Sequence, residues 1–162
     1  MFPEHITQLA TGVLAEARSK KLTVATAESC TGGLIAGALT AIPGSSDVVD
    51  RGFVVYTNQA KTDLLGVPAA MIAELGAVSQ EVAIAMAQGA LAHSQASLSV
   101  ACTGIAGPGG GSAEKPVGLV FLAAARNDGT LLEWECRFGD IGRDTIRART
   151  VEESLKLLFQ LM

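Results

Sequence analysis

Apolar positions along the chain change period several times, and each change marks a predicted element. From about Glu4 to Lys20, residues Ile6, Leu9, Ala10, Val13, Leu14 and Ala17 recur at helical spacing, and Lys20-Lys21 close the segment with charge suited to a helix C-terminus. A short β-branched run, Leu22 to Ala27, then stops at Glu28-Ser29-Cys30-Thr31-Gly32-Gly33. Helical spacing resumes at Leu34, Ile35, Ala38, Leu39 and Ile42 and ends at Pro43-Gly44. Arg51 to Thr57 reads as a second strand leading to Asn58, a plausible N-cap for a short helix through Leu65 that stops at Gly66. Ser79 opens a long helix that ends near Ser94, and Ser97 to Cys102 is a third strand entering the glycine-dense segment Thr103 to Ser112. Val117 to Arg126 and Leu131 to Phe138 are two further strands joined by Asn127-Asp128-Gly129, a hairpin turn signal. From about Gly142 a final helix carries Ile146, Val151, Leu155, Leu158 and Phe159 as its core stripe.

Strands alternating with helices and then a hairpin predict an α/β fold: a three-layer α/β/α sandwich with a mixed, mainly parallel sheet and a C-terminal β-hairpin. At 162 residues the chain suits a single domain over 1–162, long enough to bury about 70% of its unfolded surface without a metal or disulfide staple. Ligands of such sheets collect beyond the carboxyl ends of the strands. Ser29, Tyr56 and Thr103 all fall there, so parallel strands would give them one shared mouth.

Composition narrows the partners. A net charge of −4 with scattered Lys and Arg gives no electrostatic footprint for nucleic acid. No apolar run approaches membrane-spanning length, and the first residues lack a basic flank followed by an apolar core. Three widely separated cysteines, Cys30, Cys102 and Cys136, fit a reducing compartment and show no metal-ligand spacing. These features point to a cytoplasmic protein without a metal or cofactor. With 49% hydrophobic but only 4% aromatic residues, the interior is expected to be built from Ala, Leu and Val, with apolar surface left for a homo-oligomer.

The Ser29 turn places a hydroxyl and a thiol beside backbone N–H groups that a first helical turn leaves unpaired, a setting for an oxyanion or a phosphate. Read blandly, Ser29 is an N-cap. A serine nucleophile needs a base, and histidine is scarce: His5 lies on the first helix and His93 near the end of the long one. Lys61 remains. Near the start of a helix a cation is opposed by the dipole, which with burial would lower the ammonium pKa as a general base requires; otherwise it is an ordinary solvated lysine. Tyr56, the only tyrosine, is either an assisting hydroxyl or a rim aromatic. Cys30 is a competing nucleophile. Thr103, Gly104 and Gly107 suit close backbone approach to a ligand. Arg143, at another helix start, suits an anion or a surface ion pair with Asp140 or Asp144. Glu28 either orients Lys61 or ends its strand.

The ordered motifs Ala27-Glu28-Ser29-Cys30-Thr31-Gly32-Gly33, Pro43-Gly44-Ser45-Ser46, Arg51 to Asn58 with Lys61, Gly76-Ala77-Val78-Ser79, and Thr103-Gly104-Ile105-Ala106-Gly107-Pro108 with Lys115-Pro116-Val117-Gly118 resemble the CinA C-terminal domain family. Stand-alone members resemble nicotinamide-nucleotide amidases, which convert nicotinamide mononucleotide to nicotinate mononucleotide and ammonia in pyridine-nucleotide salvage. The resemblance implies a small-molecule nucleotide substrate, a serine nucleophile at Ser29, and its activating tyrosine and lysine at Tyr56 and Lys61. Substrate contacts are then expected from Cys30, Thr31, Gly32, Gly33, Thr103, Gly104, Gly107 and Arg143, with the two glycine turns sharing oxyanion and phosphate between them. It carries over nothing attached to the larger amino-terminal domain of full-length members. Two rivals stand beside it: a non-catalytic nucleotide-binding or interaction module, and a hydrolase working through Cys30.

Overall fold

The computed structural model describes residues 1–162 as six α-helices and five strands. In chain order they are α1 (Glu4–Ser19), β1 (Val24–Glu28), α2 (Leu34–Thr40), β2 (Val49–Val54), α3 (Asn58–Leu65), α4 (Ala69–Leu75), α5 (Gln80–Ala92), β3 (Leu98–Gly104), β4 (Leu119–Arg126), β5 (Leu131–Arg137) and α6 (Arg143–Leu161), with a 3₁₀ turn at Ser45–Asp47. The sheet order is β2-β1-β3-β4-β5. β1 runs parallel to both of its neighbours, whereas β4 is antiparallel to β3 and to β5. β5 therefore points the same way as the first three, and the sheet is mixed, as the pattern predicts.

Side chains alternate across the pleat and divide the core in two. Val24, Leu98, Val100, Cys102, Val120, Leu122 and Ala124 pack with the apolar stripes of α1, α2 and α6. Ala25, Ala27, Ala101, Ala123 and Ala125 meet α3, α4 and α5 on the other face. Alanines on that face let the helices lie close, which accounts for an apolar chain with few aromatics. At Gly89 of α5 the approach is closer still: a Cβ there would stand 2.1 Å from the carbonyl oxygen of Leu65, so only glycine lets α3 end against α5.

Several boundaries move from their expected places. β3 extends through Thr103 and Gly104, which pair with Phe121 and Val120, so the glycine-rich loop begins two residues later than expected. Gly104 is held there by contact, since a Cβ on it would lie 2.6 Å from Val120 Cγ2. β2 starts at Val49 and ends at Val54, which leaves Tyr56 beyond the strand. The cap of α3 is Thr57, whose Oγ1 accepts from the Ala60 N–H at 3.1 Å, and Asn58 is the first helical residue. Both residue types cap well, and the extended backbone of Thr57 decides between them. α4 has no counterpart in the pattern reading: it spans seven residues, follows Pro68, has no side-chain cap, and buries only Ile72. No helix is long and apolar enough to cross a membrane.

Candidate active site

β2, β1 and β3 are adjacent and parallel, so their carboxyl ends open on one side of the sheet. The chain leaves β1 through Ser29 into a turn whose glycines adopt left-handed backbone, Gly32 at φ 61° and Gly33 at φ 100°, and α2 follows. A side chain at either glycine would strain the turn that brings the helix start so near the strand end. It is held mainly by Glu28, which is fully buried. One oxygen of its carboxylate accepts from Thr31 Oγ1 at 2.6 Å, the Gly33 N–H at 3.0 Å and the Ile35 N–H at 2.9 Å. The other accepts from the Ala36 N–H at 2.8 Å and Thr26 Oγ1 at 3.2 Å. A carboxylate from the preceding strand thus fills the N-terminus of α2, where both unpaired donors and the helix dipole favour negative charge.

Glu28 does not orient Lys61. Its place at the turn predicts that Glu28→Gln, which sets an amide among groups that are all donors, lowers stability by roughly 3 kcal/mol. The measurement is the urea midpoint, which should fall with the slope unchanged.

Lys61, on the first turn of α3, comes from the opposite layer. Its side chain is 1% exposed, and Nζ lies 3.1 Å from Ser29 Oγ and 3.0 Å from the carbonyl oxygen of Val55. Neither partner carries a formal charge, so the burial of an ammonium goes uncompensated, and desolvation pushes the Lys61 pKa below its ordinary value. Burial, more than the helix dipole anticipated from the sequence, is the cause. The neighbouring thiols of Cys102 and Cys30 oppose this shift but do not outweigh it.

The Cys30 thiol is nearly as buried as Lys61, at 6% exposure. Hydrogen bonding to Cys102 first, and burial second, hold it protonated well above the ordinary thiol range. That is the reverse of an activated thiolate.

The remaining expected residues divide into those at the mouth and those used as supports. Tyr56 is 57% exposed and its hydroxyl meets Arg143 Nη2 at 2.9 Å, with no hydrogen bond to Ser29 or Lys61. Arg143 also donates from Nη1 to the carbonyl oxygen of Gly107 at 2.9 Å, joining the ends of β2 and β3 through α6. Thr103 is buried and gives its hydroxyl to the carbonyl oxygen of Ala77 at 2.8 Å, so it fastens the Gly76–Ser79 segment to the mouth. Of the amides expected to face substrate, Gly33 N–H is taken by Glu28 and Gly32 N–H by the Ser29 carbonyl oxygen at 3.0 Å. Those of Cys30, Thr31 and Gly107 have no acceptor within the protein, and neither does the amide of Ala106, which was not among the expected contacts.

Arg147 is a residue that the sequence reading missed. It donates from Nε to the Cys30 carbonyl oxygen at 3.2 Å and from Nη2 to that of Thr31 at 3.1 Å. Its position four residues after Arg143 was the available signal, since that spacing puts both guanidinium groups on one face of α6.

Fold and site together define an α/β sandwich protein whose polar centre is a serine in contact with a buried, uncompensated lysine beyond the carboxyl ends of parallel strands. The chain belongs to the CinA C-terminal domain family, whose profile matches residues 6–162. It is 49% identical over 158 residues to the nicotinamide-nucleotide amidohydrolase PncC of Pseudomonas putida, covering 98% of each chain. It is 52% identical over 148 residues to a putative competence-damage inducible protein of Caldicellulosiruptor bescii; that match covers 91% of this chain, which spans only 34% of that longer relative. The crystal structure of the competence/damage inducible protein CihA from Agrobacterium tumefaciens superposes with a TM-score of 0.98 at 57% identity, covering 99% of this chain and 98% of that one.

Proposed function

We propose that this protein hydrolyses the carboxamide of nicotinamide mononucleotide to nicotinate mononucleotide and ammonia, with Ser29 as nucleophile and Lys61 as general base. The observation that carries the proposal is the 3.1 Å contact between Ser29 Oγ and a lysine with no anionic partner. Burial lowers the Lys61 pKa and so favours the neutral amine more than in an ordinary lysine, and a neutral Nζ accepts the serine proton where an ammonium can only donate. The full-length relative from Pseudomonas putida, named for this activity, supports the choice of substrate.

In the first half of the reaction the Ser29 Oγ forms a bond to the amide carbon as its proton passes to Lys61, and the carbonyl electron pair moves to oxygen. The unpaired amides of Cys30 and Thr31 are the nearest donors in sequence for that oxyanion, the job first expected of the Thr31–Gly33 amides together. Each such donor is worth roughly 3–4 kcal/mol in comparable sites. Collapse then breaks the carbon–nitrogen bond, and the leaving nitrogen takes the proton from Lys61 to depart as ammonia. Water attacks the acyl-enzyme with Lys61 again receiving a proton. Collapse returns that proton to Ser29 and frees the nicotinate product. Tyr56 assists from the rim, where with Arg143 it borders the mouth of the site.

The phosphate of the nucleotide falls to Arg143 and the unpaired amides of Ala106 and Gly107, leaving the first glycine turn for the chemistry. Ammonia release from nicotinamide mononucleotide by the purified protein tests the activity, and tight binding without any ammonia would show a non-catalytic module instead. Arg143→Ala is expected to raise KM for nicotinamide mononucleotide by about tenfold to a hundredfold, the loss of one charge-assisted contact. KM for nicotinamide riboside, which lacks the phosphate, should not move. Equal changes for both would remove Arg143 from the phosphate site.

A further inference from the structure

The two carbonyls held by Arg147 belong to the peptide units that carry, directly or at one remove, the two unpaired amides beside Ser29. A peptide unit is planar and trans, so its C=O and N–H point in opposite directions. The Cys30 carbonyl, which accepts from Arg147 Nε at 3.2 Å, therefore lies on the same unit as the Thr31 N–H. The Thr31 carbonyl, which accepts from Nη2 at 3.1 Å, lies on the unit of the Gly32 N–H. That N–H donates to the Ser29 carbonyl oxygen at 3.0 Å, and the Ser29 carbonyl shares its unit with the Cys30 N–H. One guanidinium thus heads two hydrogen-bond chains, of one and two peptide units, and both end on an N–H with no acceptor in the protein. A cation at the carbonyl end of such a chain draws electron density toward itself and leaves the terminal N–H a stronger donor.

Geometry gives the same residue a second role. α6 packs in the layer of α2, and Arg147 ties the turn between β1 and α2 to it, with Gly32 beneath the guanidinium: a Cβ on Gly32 would lie 3.5 Å from Nη2. Glu28 holds the amides on one side of the turn and Arg147 the carbonyls on the other. Between them the Cys30 and Thr31 amides keep a fixed direction without being used up.

We infer that Arg147 is a positioning residue for the reaction, aiming and polarising the Cys30 and Thr31 amides that stabilise the oxyanion. It touches no reacting atom; it acts through the two peptide chains. This rests on the serine-nucleophile reading above and extends it to a residue outside the Ser29–Lys61 pair.

The test is steady-state kinetics of ammonia release from nicotinamide mononucleotide by the full chain carrying Arg147→Ala or Arg147→Lys, with and without millimolar guanidinium chloride, beside Ser29→Ala and a urea midpoint for each variant. Arg147→Ala should lower kcat by about 10²-fold, the loss from weakening an oxyanion donor, and leave KM within about threefold. Guanidinium should restore part of the lost kcat. Arg147→Lys should fall between the two, because a single ammonium does not span both carbonyls as the planar fork does. An unchanged kcat, a change confined to KM, or a loss in a stably folded Arg147→Ala that guanidinium leaves untouched would overturn the inference. Should Arg147→Ala not fold, Arg147→Lys decides: a lowered kcat at constant KM supports the inference and an unchanged kcat ends it. If Ser29→Ala keeps full activity, the serine reading has failed; if Ser29→Ala is inactive and both Arg147 variants match the parent, only the role of Arg147 has.

Discussion

Ammonia release from nicotinamide mononucleotide is expected to fall by about 10⁴-fold or more when Ser29 is replaced by alanine, with the fold intact. In the proposed reaction the hydroxyl forms the acyl bond, and nothing beside it is fit to take over. Cys30 follows it in sequence, but its thiol is buried and held protonated by Cys102 and by its surroundings. Lys61 keeps its hydrogen bond to the Val55 carbonyl in the variant, so the substitution does not leave the amine without a partner. A discontinuous ammonia assay on protein of matched circular dichroism measures the effect. Residual activity that disappeared on thiol alkylation would move the nucleophile to Cys30.

Lys61→Met should cost at least about 10³-fold in kcat, the loss of a general base in a site of coupled groups, and should not lower the melting temperature. The two halves of this expectation have one cause. A methionine fills the buried space of the lysine stem with a flexible apolar chain and removes an amine whose burial is uncompensated.

The pH dependence follows from the direction of the shift. The native Lys61 pKa lies below the ordinary value of 10.5. Between the two values the unfolded chain binds a proton that the native chain does not, so stability rises with pH across that window. Below it both states are protonated, and the full cost of the buried ammonium is present. Urea unfolding of the parent at a series of pH values should show this rise, and Lys61→Met should lack it. For the reaction, kcat/KM should decline on the acid side as Lys61 takes up its proton.

Much of this site is legible in the sequence because its parts sit at element ends. A β-branched run that stops at Ser29 before two glycines places a hydroxyl at a strand's carboxyl end, and the run ending near Tyr56 does the same for the neighbouring strand. The strand order that makes them adjacent rests on the α/β pattern. Lys61 is harder to read, since surface and buried lysines look alike in a short helix; burial came from α3 packing against α5, which depends on Gly89. The tasks of Glu28 and Arg147 were hidden for a different reason. Both act on backbone groups, and no side-chain pattern records which amides and carbonyls a turn leaves open. Thr57 rather than Asn58 as the cap, and α4 following Pro68, reflect the limits of local signals that two neighbouring residues satisfy equally well or that a seven-residue helix scarcely sends.

The turn that presents Ser29 and the helix that presents Lys61 belong to opposite helical layers. Ser29 stands on the turn leading into α2, in the layer with α1 and α6, whereas Lys61 belongs to α3, in the layer with α4 and α5. Catalytic competence is therefore a property of both halves docked at once. A chain that had assembled its strands and only one helical coat would lack the proposed activity, so turnover itself is a gauge of complete assembly, and substitutions deep in the alanine-lined face should abolish ammonia release before they melt the fold.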